Sequence, residues 1–391
     1  MPNACALLTA FFCLAAPVGL LMVMGPNHSP KLLLRLSGMP LASQEGELGL
    51  DITAGGRHAP WEAGINDLMS SGHPKTCGVV IEAWGLPTSK YVTWALTTIR
   101  RLRATQPSPG WCRADPELVE IPITLVTDLA PKTVALLLET KAQASTASVR
   151  VDSGSSFDPV PPIAARSQMT RLGPVQYRWF HCQVFTHAPY DLMLYLDSDA
   201  TICTVDAVAD LFRAVADNGV ELGYKVSSHW WHGYGSTHGN PRDPHPADVT
   251  TEADIASWAR QKEANAGAVI FASRHPAATK FAADWCRYLK ESLVSEDVAG
   301  DQYSFRAALW AGQASLSVRT FRERASPREE WWDNRICRHQ ANCTHGCSVV
   351  HDKLHMATAC LESGLCNVTE ACAWLPKLCR EIRRAWKALQ P

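Results

Sequence analysis

The sequence predicts an α/β fold, a mixed and mostly parallel sheet flanked by helices. Two observations predict it. Short apolar runs bounded by Gly, Pro or Asp alternate with stretches whose apolar residues recur every three or four positions, the strand-helix-strand-helix order of a parallel sheet. One of the runs, Leu192 to Leu196, carries no charge and ends on Asp197-Ser198-Asp199. Two carboxylates thus stand at the carboxyl end of a buried strand, where open α/β sheets bind their ligands.

Regular patterning begins at Gly78-Val79-Val80-Ile81-Glu82-Ala83-Trp84, a run stopped by Gly85 and Pro87 that predicts the first strand. From Ser89 to Arg103, Val92, Leu96, Ile99 and Leu102 fall on one helical face. Ile121 to Val126 predicts a second strand closed by Asp128, and Pro131 to Ala142 a second helix. A polar, proline-rich break runs from Asp152 to Pro162. A helix over Val175 to Thr186 leads to the strand Leu192 to Leu196, and Thr204 to Asp217 predicts the next helix. Ser227 to Thr251 is irregular and too long for a plain connection, which points to a lid or substrate-binding segment. Its His229-Trp230-Trp231-His232-Gly233-Tyr234-Gly235 has the composition of a carbohydrate platform, with buried packing as the alternative. Ala268 to Ala272 predicts another strand, followed by a helix through Leu289 and one more over Gln302 to Trp310. There is no internal repeat.

The flanks set the compartment. An uncharged run from Cys5 to Met24 has the ~20 residues a helix needs to cross a bilayer. No Lys or Arg precedes it, which favours a signal anchor over a cleaved signal peptide. The organisation expected is an anchor over 1–24, a stem over 25–75, the α/β domain over 76–356 and a Cys-rich helical tail over 357–391. Lys31 and Arg35 after the run favour a cytoplasmic bulk. Of the 14 cysteines, twelve lie outside the run and seven crowd Cys337 to Cys379, and an even dozen fits disulfides in an oxidising lumen. The sequons at Asn27, Asn342 and Asn367 agree, so a lumenal bulk on a Golgi or ER membrane is the expectation. Structural zinc is the rival for these cysteines, but no Cys-x-x-Cys pair occurs. A formal net charge of -1 gives no overall field to draw in nucleic acid. The basic last helix, with Arg380, Arg383, Arg384 and Lys387, reads as a solvated face.

The chemistry rests on Asp197 and Asp199. At i and i+2 on extended backbone they share a face and can converge on one hard cation. Such a cation neutralises phosphate oxygens and a departing diphosphate. The plain alternative is a turn whose acids cap the next helix.

The segment Leu192-Met193-Leu194-Tyr195-Leu196-Asp197-Ser198-Asp199-Ala200-Thr201-Ile202, preceded by Tyr190-Asp191, resembles the DxD region of GT-A nucleotide-diphospho-sugar transferases, in particular the glycogenin-like branches. Asn265-Ala266-Gly267 is similar to that family's Asn-x-Gly strand entry beside the sugar pocket, and Asp301-Gln302 to a later Asp-Gln element. The match spans about Cys77 to His355. The resemblance implies a metal-dependent transferase that moves a sugar from a nucleotide diphosphate, UDP above all, to a glycan or glycoprotein hydroxyl. It implies Mn²⁺ or Mg²⁺ held by Asp199, with Asp197 touching metal or ribose. It places Asp128, Ala83 and Trp84 by the uracil base and Asp301 and Gln302 at the reacting centre. His351, after a strand-like Cys347 to Val350, falls where such enzymes place a third metal ligand, with His355 in reserve, and Lys353 would meet the diphosphate. The helix before the DxD strand departs from the pattern. Sixteen residues ahead of Asp197, where the family often has Lys or Arg, stands His181, and Arg178 one turn earlier is the substitute. Asn265 and Gly267 as a tight turn, Asp301 as a helix cap and His351 as a surface residue are the structural alternatives. A nucleotidyltransferase would need a Gly-rich, Lys-bearing loop that Gly85-Leu86-Pro87-Thr88 does not supply. A non-catalytic, lectin-like protein keeping the fold is the other reading.

Overall fold

Strand β1 (Cys77–Ala83), β2 (Ile123–Thr127), β4 (Leu192–Leu196) and β7 (Ala264–Ala272) are buried along nearly their whole length. Continuous apolar runs of this kind suit a sheet covered on both faces. With β3 (Val149–Asp152), β6 (Leu222–Val226) and β8 (Val318–Arg322) they stand in the order β3-β2-β1-β4-β7-β6-β8. β7 runs antiparallel to both β4 and β6. Every other neighbouring pair is parallel. The mixed, mostly parallel sheet expected from the sequence is therefore present. The computed structural model describes residues 76–104, 112, 120–145, 147–161, 175–203, 206–216, 219–226, 248–260, 264–294, 301–322, 336–338, 343 and 347–390. The chain divides into Met1–Ala59 and Pro60–Pro391, and the first unit lies outside the described residues. So do the expected anchor and stem and the Trp-rich segment 229–235. Among the described residues no helix is long and apolar enough to cross a membrane.

Alternation along the strands sorts side chains onto two faces. Val79, Ile81, Leu194 and Leu196 enter one core with helix α1 (Lys90–Ala104), α2 (Pro131–Leu137) and, beyond α3 (Val175–Thr186), α4 (Asp206–Ala216). Val80, Met193 and Tyr195 enter the other, with α3 and, beyond the short α5 (Glu252–Arg260), α6 (Pro276–Val294) and α7 (Asp301–Gly312). The second core is aromatic: Phe185, Trp285, Phe305 and Tyr195 meet edge-on or tilted at 4.7–5.1 Å, geometries that ring quadrupoles favour.

A small sheet is built beside the end of β4. Strand β5 (Ala200–Ile202) pairs antiparallel with β10 (Val349–His351), and β10 pairs parallel with β9 (Ile336–Arg338). Helices α8 (Lys353–Glu362), α9 (Val368–Trp374) and α10 (Cys379–Leu389) follow. They pack a third core on Trp94 of α1, so the tail is fastened to the sheet domain, and α8 crosses the boundary expected after residue 356. Among the described residues, disulfides join Cys77–Cys112, Cys182–Cys286, Cys203–Cys343, Cys360–Cys366 and Cys372–Cys379. Cys347 is also disulfide-bonded.

Several expectations shift at their edges. The helix expected over 131–142 is α-helical only to Leu137, then widens into a π turn and stops at Gln143, whose φ is 53°. The break expected from 152 follows a strand, β3, that its charged residues concealed. β6 was concealed likewise, because Gly223 and Lys225 interrupt its apolar run although all five residues are buried.

Candidate functional site

Asp197 leaves β4 at the carboxyl edge of the sheet. Its backbone N–H donates to the Gly267 carbonyl at 2.8 Å, and its own carbonyl accepts from Ala200 N–H at 2.9 Å. A tight turn results, which swings Asp199 across to the start of β5. The pairing of Ala200 with His351 then sets the imidazole beside both carboxylates. His351 Nε2 lies 2.7 Å from Asp199 Oδ1 and 3.9 Å from Asp197 Oδ2. Asp197, Asp199 and His351 each present one ligand atom within 4.8 Å of the others.

Asn265 orients the imidazole. The Gly267 N–H donates to Asn265 Oδ1 at 3.1 Å, which fixes which end of the amide faces inward. The same oxygen lies 3.0 Å from His351 Nδ1, so Nδ1 must be the donor. Nε2 is left to face the carboxylates, the arrangement by which an outer partner prepares a ligating histidine. Gly267 serves for another reason: a Cβ there would run into His351 Cε1 and come within 2.7 Å of Asp197 Oδ2 and His351 Nδ1. The space between these atoms exists because residue 267 has no side chain.

The electrostatics agree. Burial opposes ionisation of Asp199, but His351, its hydrogen bond and Lys353 outweigh it and hold the carboxyl at about 2. Two carboxylates and an imidazole nitrogen are a mixed oxygen and nitrogen set that suits Mn²⁺ and, less closely, Mg²⁺. The 2.7 Å contact between His351 and Asp199 also needs a positive species, a proton or a metal ion, between its two atoms.

The other sequence candidates group around this centre in part. Ala83 ends β1 and Trp84 follows it, its ring stacked on Tyr177 at 5.5 Å. Asp128, past the end of β2, accepts from Gly85 N–H at 3.0 Å, so it lies by the same turn. His181, on α3, faces Asp197 Oδ1 at 3.8 Å. Arg178 sits one turn before it, half-buried. Lys353 opens α8, near enough for its charge to favour the Asp199 carboxylate. Gln302 sits in the first turn of α7, a helix packed on α6 and β7, and the Asp301 side chain lies outside the described residues. His355 does not join the cluster. Its Nε2 is 3.5 Å from Cys343 Sγ, and it faces the Cys203–Cys343 disulfide instead.

Two residues at the centre escaped sequence reading. Tyr195 donates its hydroxyl to Asp197 Oδ1 at 2.8 Å. Glu82, 6% exposed, stands with His181 and Asp197 in a second cluster with ligand atoms within 4.8 Å. Burial pushes its carboxyl up to about 7 against the pull of His181; Asp197 adds to the rise, and bonds from Tyr195 and Trp84 oppose it. The available signal for Glu82 was a lone charge inside an apolar strand. Tyr195 gave none, as a tyrosine is an ordinary strand residue.

No family model matches the sequence, and no curated protein sequence matches it. Among solved structures the chain is similar to the WbbM bifunctional glycosyltransferase in its apo form, at 12% identity and TM-score 0.41, over 72% of this chain and 46% of that one. It is similar to the galactosyltransferase LgtC in complex with donor and acceptor sugar analogs, at 14% identity and TM-score 0.38, over 70% and 86%. It is similar also to mouse xyloside xylosyltransferase 1 in its apo form, at 14% identity and TM-score 0.39, over 70% and 96%. The chain thus spans less than half the length of the first.

Proposed function

We propose that this chain is a metal-dependent glycosyltransferase of the GT-A type, moving a sugar from a nucleotide diphosphate, UDP by preference, to a hydroxyl of a glycan or glycoprotein. The observation that carries the reading is the convergence of Asp197, Asp199 and His351 over the space left by Gly267. A divalent cation there supplies charge for a departing diphosphate. His351 would hold such an ion from β10, and Asp197 and Asp199 from the turn between β4 and β5. Asn265 keeps the imidazole turned with Nε2 inward.

Lys353 adds a cation on the phosphate side, beside the N-terminus of α8 that the Asp352 carboxylate caps. Trp84 and Asp128, by the Gly85 turn, are the residues for the base. His181 stands where a basic contact to the donor is expected, with Arg178 a turn away. Asp301 and Gln302 open α7 and are assigned to the donor sugar and the reacting centre. With these groups fixed on sheet ends and on the helices beside them, the donor is oriented before the acceptor arrives, which is where the entropic part of the barrier is removed. The disulfides support an oxidising compartment, so we place the domain in the Golgi or ER lumen, held by the apolar run Cys5 to Met24.

The purified full-length protein should hydrolyse or transfer from at least one member of a UDP- and GDP-sugar panel, in Mn²⁺ and not in EDTA. The reading is lost if no donor is turned over and UDP fails to bind with Mn²⁺. It is lost equally if activity survives Asp197→Ala and Asp199→Ala.

A further inference from the structure

Helix α10 presents two chemically distinct sides. Arg380, Arg383, Arg384 and Lys387 fall at i, i+3, i+4 and i+7. At 3.6 residues per turn they occupy an arc of about 100° and a length of about 10 Å. All four are exposed. Ile382, Trp386 and Leu389 lie on the other side. Ile382 is fully buried, and Trp386 packs with it in the core built on Trp94. The Cys372–Cys379 disulfide ties down the first residue of the helix. The fold therefore fixes which way the basic stripe faces.

Solvation alone does not account for this stripe. Charges three and four apart on a helix are neighbours, and like signs there destabilise it. Arg380 stands so to Arg383 and Arg384, and Lys387 stands so to the same two. The helix dipole favours cations at the carboxyl end, which suits Lys387 but opposes Arg380 in the first turn. Glu381 is the one acid of the helix, and it pairs with Arg380 at 3.4 Å. Among the described residues Arg383, Arg384 and Lys387 form no ion pair. Nor is the surplus general, since the chain has 37 Lys and Arg against 38 Asp and Glu. Positive charge is gathered on one rigid line at a cost in stability, and a linear polyanion would offset that cost.

We propose that this stripe is a docking surface for an acidic polysaccharide, a chain carrying sulfate or carboxylate groups. A fixed row of guanidinium forks suits oxyanions repeated along a polymer, because each fork can take two oxygens of one group. A membrane surface fits less well. Ile382 and Trp386, the apolar side chains that would enter it, are turned into the core, which leaves Leu389 at the helix end. The choice of a glycan among polyanions rests on the proposed function, in which glycans are the acceptors; the need for a polyanion does not. α10 packs with α8, the helix that follows His351, so the stripe is built onto the unit adjoining the candidate metal site.

The test titrates the full-length protein into fluorescent polysaccharides over a salt series, read by anisotropy. Heparin carries sulfates and carboxylates, hyaluronan carboxylates alone, and dextran no charge. Heparin should bind and dextran should not; hyaluronan binding as well would make carboxylates sufficient, and its failure would assign the site to sulfates. Arg383→Gln with Arg384→Gln should weaken heparin binding about thirtyfold, roughly fivefold for each cation at an anionic surface. The slope of log affinity against log salt should fall by about two, one for each lost contact. The melting temperature should hold, because both side chains are exposed. Lys132→Gln with Lys290→Gln removes the same charge from exposed positions on α2 and α6 and should leave heparin affinity unchanged. Equal losses in the two double variants would overturn the proposal, as would tighter binding of RNA or of phosphatidylserine vesicles than of either acidic polysaccharide. A wild-type protein that ignores heparin would overturn it too, and would leave the metal-dependent reading standing. Heparin binding that needs Arg383 and Arg384, in a protein that neither binds UDP with Mn²⁺ nor turns over any donor, would sink that reading and keep the docking surface.

Discussion

His351 Nε2 lies 2.7 Å from Asp199 Oδ1, although the two residues are 152 positions apart. The antiparallel pairing of β5 with β10 is what closes that gap. A contact this short between an imidazole nitrogen and a carboxylate needs a proton or a metal ion between the atoms. Cation and proton therefore compete for one place, and Mn²⁺ binding should release a proton and weaken as pH falls. His351→Ala should lower Mn²⁺ affinity by more than the roughly 10–100-fold of an outer-layer partner. Isothermal titration in two buffers of different ionisation enthalpy reads both effects. Equal apparent enthalpies in the two buffers would rule out proton release.

Gly267→Ala tests the cradle. The added methyl meets His351 Cε1 and Asp197 Oδ2, the tips of two side chains that hydrogen bonds to Asn265 and from Tyr195 hold in place. Overpacking of this kind costs about 1–3 kcal/mol, and here the strain falls on the two candidate ligands. Both the urea midpoint and Mn²⁺ affinity should drop. Gly364→Ala makes a useful contrast: its φ is +67° and nothing stands within 4 Å, so it should lower stability through backbone strain alone and leave Mn²⁺ binding unchanged.

Much of this arrangement was legible in the sequence, and what was not has a common cause. Leu192 to Leu196 was readable because a strand buried on both faces shows as an unbroken apolar run, and its acidic end marks the candidate site. His351 was readable only by resemblance, because a three-residue strand has no period to detect. The surroundings of Asp197, by contrast, come largely from other elements: His181 on α3, His351 on β10 and Glu82 on β1. Glu82 and Asp197 meet because β1 and β4 are neighbours in register, and order along a chain does not state which strands are neighbours. Lys225 hid β6 in the same way: a lysine reads as surface, yet it is fully buried. The fastening of the tail to Trp94 of α1 was likewise invisible, since apolar residues in the tail helices do not say what they cover.

His355 makes stability depend on pH. Burial, reinforced by Arg101 and opposed by Asp352, lowers its pKa from 6.5 to about 4. In the unfolded chain it binds a proton near 6.5, so between that value and about 4 the unfolded state holds more protons than the folded one. The neutral imidazole thus contributes stability above pH 6.5, and this is lost as pH falls toward 4. Urea midpoints at pH 7.5 and pH 4.5 should differ more for wild type than for His355→Gln, which keeps a polar side chain without a titrating group. An unchanged difference would place the acid sensitivity elsewhere.

The Cys203–Cys343 disulfide should support the candidate metal site as well as the fold. Cys203 follows β5 directly and its N–H donates to the Ser348 carbonyl at 2.9 Å; it packs with Cys343, Cys347 and Val350. β5 and β10 meet over only three residue pairs, a ladder too short to be stable by itself. The bond closes a separation of 140 residues, and loops of that size are stabilised by about 2–5 kcal/mol. Removing it through Cys203→Ser with Cys343→Ser should lower the melting temperature, and also reduce Mn²⁺ affinity in the protein that remains folded, because the pairing that brings His351 to Asp199 frays. Cys77–Cys112 is the control. It staples the start of β1, the opposite end of the sheet from Asp197, with a separation of 35 residues. Losing that pair should cost stability with Mn²⁺ affinity intact. Equal losses of affinity in the two double variants would mean that the disulfides act only through global stability.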